Sequence, residues 1–337
     1  MSRLFTPFSI TGIGSLPHHS ASDACELVLK TMDIPFWPQL PQVSFRESMI
    51  PQYAEGMPFL RINAEDETVW VARDDSDQLE RFYEACSDTA RIAMSGDYAA
   101  GLHTFLKMIK GRRFPVIKGH VTGPLTFTLG LKDSDGRYIY FDEEFREIAS
   151  MLLGAKVRWQ VDMLKQHAER VVVFIDEPIL SALGSSTYLG VDSGEALRLL
   201  RNTVAAVESA GAVPGIHCCG RADWPLVLES GVKILNFDAF AYFDSLLLYH
   251  EEVKSFLEGG GYLAWGIVPT SDAIASVDDG MLAALMRGKL EKMCAHIPSG
   301  LVMSQILLTP SCGTGSRSVE ETTRIFQLLI RLKEAMA

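Results

Sequence analysis

Apolar and polar residues alternate along the chain in a pattern that predicts strands and helices in turn. Eight short runs are rich in aliphatic and aromatic residues and have the length of a buried strand. Longer stretches between most of these runs carry apolar residues at steps of three and four, which is the spacing of an amphipathic helix. The predicted strands cover residues 10–15, 35–40, 114–121, 171–176, 212–219, 232–239, 262–268 and 306–310.

Residues typical of helix ends bound the helical stretches. Asp142 stands in front of a long amphipathic run, and a second run begins at Ser193 and stops at Gly211. The last helix is predicted to begin at Ser318, because Glu321 follows three residues later, as in a capping box. These signals place helices between the predicted strands.

Strands that alternate with helices pair in parallel, because a tight turn cannot join two parallel neighbours. Eight strand–helix units predict an α/β fold of the (β/α)8 TIM barrel type, with residues 1–337 forming a single domain. Residues 41–113 are too long for one crossover between strands 2 and 3. They contain the hairpin-like sequence LRINAEDETVWVARDD and two helical patterns, so we expect an elaborated excursion that covers the barrel mouth.

Composition and charge limit the classes of partner. Hydrophobic residues make up 47% of the 337 residues, as in ordinary globular proteins. The 31 Lys and Arg against 42 Asp and Glu leave a net charge of −11, which argues against binding of nucleic acid phosphates. No apolar stretch reaches the roughly 20 residues of a membrane helix, and the start has no signal-peptide pattern. We therefore expect a cytoplasmic protein that binds small molecules or proteins, and neither a nucleic acid nor a membrane.

Soft metal ligands follow three predicted strands, at the strand ends where TIM barrels carry their active sites. His217 and Cys219 are two apart in the fifth strand and so project to the same side. Asp238 ends the sixth strand and Cys312 follows the eighth, so a nitrogen, two sulfurs and a carboxylate predict one zinc ion per chain. A His-x-Cys pair alone fits ordinary packing equally well. Three further cysteines fall within helical patterns and are interpreted as small, buried apolar residues. They are Cys25, Cys86 and Cys294.

Other polar residues at strand ends are candidates for catalysis or substrate binding. Asp176 and Glu177 end an apolar strand, where carboxylates are costly unless a ligand, a helix N-terminus or an Arg satisfies them. His120 is a candidate acid or base, and a core histidine bonded to the backbone is the alternative. Gly14 permits a close approach of the backbone, and the Ser15 hydroxyl beside it can donate to a bound carboxylate.

Five short motifs are spread over nearly the whole chain. They are IGSLP (13–17), VTGP (121–124), IDEP (175–178), HCC (217–219) and PSCG (310–313). In this order they resemble the C-terminal catalytic half of cobalamin-independent methionine synthase, a family that shares its barrel with uroporphyrinogen decarboxylase. The resemblance implies zinc ligation by His217, Cys219 and Cys312, together with a carboxylate of the next strand. It also implies that Ile13 to Ser15 and Asp176 hold the amino-acid end of homocysteine.

The sequence departs from this family at several positions. The third zinc ligand of the family is usually Glu, whereas this sequence offers Asp238, with Glu229 and Asp244 as nearby alternatives. PQLPQVSFRES replaces an HGE-type segment, Ala182 stands in place of a second carboxylate, and WGIVPTSD lacks the family's catalytic histidine. The half of the long enzyme that helps to hold folate has no counterpart in these 337 residues. We therefore expect a methyl-corrinoid donor rather than methyl-folate, carried by a corrinoid protein that docks over the barrel mouth.

The residues and the resemblance together predict a zinc-dependent methyltransferase that moves a methyl group to a thiol. The expected acceptor is homocysteine, giving methionine, and the candidate catalytic residues are Asp176, Glu177 and His120. One alternative is a zinc–thiolate methyltransferase for another thiol, such as a coenzyme-M-like acceptor. A non-catalytic barrel that binds zinc or a thiol is a second alternative. Uroporphyrinogen decarboxylation would require an Arg-rich N-terminal motif for several carboxylates, and RLFTPFSITG does not provide one.

Overall fold

Strands and helices alternate along most of the chain in a computed structural model that describes residues 4–73, 77–86, 88, 92–183, 185 and 188–336. Within these residues the strands are β1 (Ser9–Ile10), β2 (Leu60–Asn63), β3 (Thr68–Val71), β4 (Phe114–Thr122), β5 (Lys132–Asp133), β6 (Ala168–Asp176), β7 (Val213–Cys218), β8 (Ile234–Phe237), β9 (Tyr262–Val268) and β10 (Ile306–Pro310). The α-helices are α1 (Ala21–Thr31), α2 (Met49–Ala54), α3 (Asp77–Cys86), α4 (Ala100–Met108), α5 (Pro124–Gly130), α6 (Glu143–Lys165), α7 (Ser193–Ser209), α8 (Trp224–Glu229), α9 (Phe243–Leu247), α10 (His250–Glu258), α11 (Asp279–Cys294), α12 (Ser299–Ser304) and α13 (Val319–Met336).

Seven of the described strands form one curled sheet in which every neighbouring pair is parallel. Their order across the sheet is β1, β10, β9, β8, β7, β6 and β4. Helices connect successive strands of this sheet, as parallel pairing requires. The predicted α/β class is therefore confirmed, and the predicted strands 262–268 and 306–310 coincide with β9 and β10.

The second predicted strand, residues 35–40, does not form a regular strand. The prolines in this segment have no backbone N–H, so they interrupt a continuous ladder of hydrogen bonds. Two isolated bridges remain: Phe36 pairs with Lys118 of β4, and Gln39 pairs with Ser15 beyond the end of β1. The segment therefore lies between the two edge strands of the sheet and contacts the chain near both.

The helix ends follow the predicted signals closely. The Asp142 side chain accepts a backbone N–H of the first turn of α6, and Ser318 and Glu321 form the reciprocal bonds of a capping box before α13. The N-cap of α7 is Asp192, and Gly211 after this helix has a φ of 74°. None of the helices in the described ranges combines the length and the apolar character needed to cross a membrane.

Buried apolar side chains form two clusters, one on each face of the sheet. Val172 and Phe174 belong to the smaller cluster, whereas Val171 and Val173 belong to the larger one, as the alternation of side chains along β6 requires. The larger cluster includes the contacts between the sheet and its helices, such as α6 against β4 and β6. The smaller cluster therefore lies inside the curl of the sheet. Asp176 follows Phe174 by two residues, so its side chain continues this inner face.

Residues 41–113 contain the predicted hairpin, because β2 and β3 pair in the antiparallel sense. The last two residues of the hairpin-like sequence, 74 and 75, lie outside the described residues. The helices of this region pack on the outside of the molecule, α4 against α1, and α2 and α3 against α6. The first residues of the region lie on the inner side of the curled sheet instead, since Pro41, Gln42, Ser48 and Met49 line a cavity there.

Candidate metal centre and active site

A cavity of about 480 Å³ lies where β6, β7 and β10 end. Its wall includes His217 of β7, Cys219 directly after that strand, and Cys312 two residues after β10. One ring nitrogen of His217 and the Sγ atoms of both cysteines lie within 4.8 Å of one another. The structure therefore brings together three side chains that the sequence predicts as metal ligands.

The orientation of His217 is set by its neighbour on β8. Nδ1 of His217 is hydrogen-bonded to Oδ1 of Asn236. Nδ2 of Asn236 donates to the Ala264 carbonyl and to Oγ1 of Thr309, both at 2.8 Å, so Oδ1 is left as the acceptor for His217. The ring proton then lies on Nδ1. Nε2 of His217 is buried and has no hydrogen-bond partner among the described residues, so it is the ring nitrogen left to bind a metal ion.

The two cysteine sulfurs of this group interact with each other and with His217. Cys312 and His217 lower the pKa of Cys219 to about 4, against the effect of burial. Cys219 and burial raise the pKa of Cys312. One negative charge is therefore favoured on the pair of sulfurs, and a second requires a cation beside them. The cysteines predicted to be structural lie in helices α1, α3 and α11.

The donor set of this group fits a zinc ion. Zinc prefers imidazole nitrogen and thiolate sulfur, and both are present here. The metal would also give the buried Nε2 of His217 a partner and would supply the positive charge that two neighbouring thiolates need. The residues present are therefore compatible with a zinc centre assembled by the fold.

Asp238, the predicted carboxylate ligand, lies near this group, but its oxygens fall outside the set of atoms within 4.8 Å. Its Oδ1 accepts the backbone N–H of Ala241 at 2.8 Å, in the turn after β8. Burial raises the pKa of the Asp238 carboxyl to about 6, although backbone hydrogen bonds oppose the rise. The charges of Cys219 and His217 also act on this carboxyl. Ligation by Asp238 stays a prediction.

The two alternative carboxylates are engaged elsewhere. Glu229 forms an ion pair with Arg201 at 2.8 Å, and Asp244 forms one with Lys292 at 3.2 Å. Both carboxylate side chains are mostly exposed, at 63% and 74%. Within the described residues, neither belongs to the group of ligand atoms around His217.

Asp176 lines the cavity beside the three donors. It is opposite His217 in the register of β6 and β7, and its Oδ1 is buried without a hydrogen-bond partner among the described residues. Burial raises the pKa of this carboxyl to about 6, while His217 and Lys118 oppose the rise. A buried acceptor in a cavity wall is suited to an N–H donor of a bound molecule, such as an ammonium group.

The predicted substrate-binding turn is also at the cavity. Ile13 and Ser15 line it, and the Gly14 carbonyl between them accepts the backbone N–H of Gln39 at 3.0 Å. A Cβ added to Gly14 would lie 3.2 Å from the ring of His120, closer than a side chain usually approaches. Glycine therefore lets this turn run close against β4.

Glu177 occupies a different position from Asp176. Its carboxylate accepts the backbone N–H groups of Leu125 and Thr126, both at 2.8 Å, and the Thr126 hydroxyl at 2.7 Å. These bonds cap the first turn of α5, and Glu177 does not line the cavity. Burial raises the pKa of Glu177 to about 7, although these hydrogen bonds oppose the rise. All of these contacts are structural, and a catalytic role of Glu177 stays a prediction.

His120 is buried behind the substrate-binding turn. Its ring stacks on Trp37, with centroids 3.8 Å apart, and does not line the cavity. Neither ring nitrogen has a hydrogen-bond partner among the described residues. Burial, followed by the charge of Lys118, holds the pKa of His120 well below its usual range, so the ring is neutral. Its role as an acid or base stays a prediction.

Three polar side chains at the site are not singled out by the sequence motifs. Asn236 orients His217, Lys118 donates to the Ile13 carbonyl, and Gln39 lines the cavity. Asn236 and Lys118 share a signal that is readable in the sequence. Each precedes a candidate site residue, Asp238 or His120, by two positions within a predicted strand, and that spacing predicts a shared face.

Comparisons with known proteins support the resemblance at the level of the fold. No protein-family model matches the chain, and no curated protein sequence matches it. A B12-independent methionine synthase from Shewanella sp. W3-18-1, solved in complex with selenomethionine, superposes with a TM-score of 0.60 at 14% identity, covering 97% of both chains. A methyltransferase from Methanosarcina mazei superposes with a TM-score of 0.56 at 14% identity, covering 96% of this chain and 93% of the other. The chain therefore shares the fold of these two proteins over nearly its whole length.

Proposed function

We propose that this protein is a zinc-dependent methyltransferase that transfers a methyl group to a thiol, with homocysteine as acceptor and methionine as product. The observation that carries the proposal is the convergence of one ring nitrogen of His217 with the sulfurs of Cys219 and Cys312 in a cavity wall. The fold shared with a methionine synthase and a methyltransferase supports the same activity.

In this proposal, His217, Cys219 and Cys312 hold the zinc ion, and Asp238 is the fourth protein donor. When bound, zinc supplies a Lewis acid that favours the thiolate form of a substrate thiol at neutral pH. Asn236 accepts a hydrogen bond from Nδ1 of His217, so the ring is oriented with Nε2 as the nitrogen that would bind zinc. The sulfur-rich donor set keeps the site electron-rich, which preserves the nucleophilicity of the substrate sulfur.

Asp176 and the turn at residues 13–15 bind the amino-acid end of the acceptor. The unpartnered Oδ1 of Asp176 accepts from the substrate ammonium group, and the turn around Ile13 and Ser15, which line the cavity, faces the substrate carboxylate. The cavity volume falls in the range of about 300–1,000 Å³ that is typical of small-molecule sites. An acceptor held at both ends presents its sulfur in one orientation, which lowers the entropic cost of methyl transfer.

The methyl donor is proposed to be a methyl-corrinoid, presented by a corrinoid protein over the open end of the cavity. The basis is the set of departures from the methionine synthase pattern, which remove residues associated with folate. In the same proposal, residues 35–40 complete the barrel between β1 and β4, so that residues 1–337 form one closed barrel domain. The start of the 41–113 excursion then covers part of the barrel mouth, because Pro41, Gln42, Ser48 and Met49 line the cavity. A cytoplasmic location accords with this use of reduced thiols.

The proposal is tested with purified, zinc-loaded protein and homocysteine. Methylcobalamin, a methyl-corrinoid protein and methyl-folate are offered separately, and methionine is quantified by mass spectrometry. We expect methionine from the corrinoid donors, and its loss when Cys312→Ala removes a zinc ligand. Cys294→Ala is the matched control, since Cys294 is half-buried in α11, away from the cavity. Methylation of a coenzyme-M-like thiol instead would reassign the acceptor, and bound zinc without transfer from any donor would favour a binding protein.

A further inference from the structure

Lys118 is a fully buried lysine on the inner face of β4. Its exposed fraction is 0%, and its Nζ donates to the backbone carbonyl of Ile13 at 2.5 Å. The bond joins residues 105 positions apart in the chain, linking β4 to the turn that lines the cavity. Burying an ammonium group costs desolvation free energy unless neighbouring groups offset it.

The surroundings of Lys118 supply that compensation. Its Nζ lies 4.6 Å from the ring centroid of Phe174 and 5.3 Å from that of Phe36, which are cation–π distances. The charge of Asp176 also acts on it. Burial lowers the pKa of Lys118 to about 8, and Asp176 opposes this, so the group is predominantly a cation at neutral pH. A charged donor of this kind makes a stronger hydrogen bond than a neutral one.

The bond from Lys118 has a geometric consequence for the turn. In a trans peptide the carbonyl and the following N–H point in opposite directions, so a carbonyl of Ile13 turned toward Lys118 directs the N–H of Gly14 away from it. Among the described residues no acceptor is bonded to the Gly14 N–H, whereas the Gly14 carbonyl is bonded to Gln39. The N–H of Ser15 likewise has no bonded acceptor among the described residues, so the turn keeps two free donors, and Ser15, which carries one of them, lines the cavity together with Ile13.

We propose that Lys118 is a positioning residue, which fixes the Ile13 carbonyl so that the turn at residues 13–15 offers its free N–H groups to the carboxylate of the acceptor. The identity of that acceptor as an amino-acid thiol rests on the proposed function. The positioning itself is a property of the substrate-free protein. It can therefore be measured without turnover.

Lys156 provides a matched control for Lys118. It is also a lysine with an exposed fraction of 0%, and burial lowers its pKa to about 8 as well. It lies on helix α6, outside the sheet, and does not line the cavity. Lys118→Met and Lys156→Met therefore remove the same buried charge from two places, and only the first removes the bond to Ile13.

The first measurement is amide hydrogen exchange of residues 11–16 in the purified protein, with zinc as loaded. We expect Lys118→Met to accelerate exchange in this segment by about tenfold or more, because the lost hydrogen bond involves a charged group. Lys156→Met should leave the segment unchanged. If Lys118→Met does not fold, Lys118→Arg retains a cation and N–H donors and should keep the segment protected. Unchanged exchange in folded Lys118→Met, or loss of protection in folded Lys118→Arg, overturns the proposal.

The second measurement is calorimetric binding of homocysteine and of 3-aminopropane-1-thiol, which lacks the carboxylate. Lys118→Met should weaken homocysteine binding by about tenfold and the aminothiol by much less, since only the carboxylate contact depends on the turn. Equal weakening of both ligands overturns the assigned role. If wild-type protein binds neither ligand, the proposed function fails, and the exchange measurement alone decides the role of Lys118.

Discussion

His217 and Asn236 lie opposite each other on β7 and β8, and Oδ1 of Asn236 accepts the Nδ1 proton of the His217 ring. The amide of Asn236 is itself fixed by two further bonds, to Ala264 and Thr309. The orientation of the His217 ring is therefore set by the fold before a metal binds.

The first prediction concerns this pair. Asn236→Ala removes the acceptor for Nδ1, so the ring can rotate and change tautomer, and we expect zinc affinity to fall by roughly 10- to 100-fold. Competition with a chromophoric chelator measures the change. Asn236→Asp, which keeps an acceptor at the same place, should lose less affinity than Asn236→Ala. Equal zinc affinity of Asn236→Ala and wild type would show that this hydrogen bond does not orient His217 for zinc binding.

A second prediction tests the carboxylate ligand. Asp238→Ala should lower zinc affinity measurably in the same chelator assay, because it removes a proposed donor. Asp244→Ala is the control, since Asp244 is exposed and paired with Lys292. If Asp238→Ala keeps full zinc affinity, the role of Asp238 is limited to the turn in which it accepts the N–H of Ala241.

A third prediction separates Glu177 from catalysis. Glu177→Ala leaves two backbone N–H groups of α5 without an acceptor in the core, so we expect the free energy of unfolding to fall by about 2–4 kcal/mol. Zinc content of the folded fraction should stay at the wild-type level. Denaturant unfolding measures the loss, and Glu169→Ala, at an exposed position of the same strand, is the control. Normal stability combined with lost activity would instead favour the catalytic role predicted from the sequence.

The positions of the zinc donors follow from rules that apply to sequence alone. A strand end predicts the rim of a parallel sheet, and a spacing of two predicts a shared face, so His217 and Cys219 could be paired without coordinates. Cys312 required the further expectation that the last strand lies in the same sheet. A helix N-terminus is one of the partners that the sequence suggests for Glu177, but the helix that it caps could not be predicted, because α5 comes some fifty positions earlier in the chain and only the tertiary fold brings the two together.

The fold shows the same division between local and tertiary information. The runs at 262–268 and 306–310 are continuous and apolar, and each forms the predicted strand. Residues 35–40 are also apolar, but their prolines cannot donate to a ladder, so only isolated bridges form. Lys118 interrupts an apolar strand, and the sequence alone shows no partner that would offset the cost of burying its charge. Its compensation comes from Ile13, Phe174 and Asp176, which are distant in the sequence.

A fourth prediction concerns pH and the buried carboxyl of Glu47. Its oxygens accept the N–H groups of Leu40 at 3.0 Å and Ala100 at 2.9 Å, and burial raises its pKa from 4.5 to about 7 despite these bonds. The folded state then binds the proton more tightly than the unfolded state. The stability contributed by this group is therefore present below about pH 4.5 and is lost as the pH rises through about 7.

Glu47→Gln cannot titrate and isolates this effect. The difference in free energy of unfolding between wild type and Glu47→Gln should decrease from about pH 5 to about pH 7 and then level off. Urea unfolding at several pH values measures it, and the comparison cancels the titration of all other groups. A difference that is constant across this range would mean that Glu47 does not titrate in the folded state as its burial predicts.

The central claim is a zinc centre that binds the thiol to be methylated. X-ray absorption at the zinc edge, combined with metal analysis, tests it most directly. We predict about one zinc per chain with mixed nitrogen and sulfur ligation, and one additional sulfur ligand when homocysteine is added. His217→Ala and Cys219→Ala should each reduce the bound zinc. A wild-type protein that binds no zinc, or a zinc spectrum that homocysteine leaves unchanged, would contradict the account.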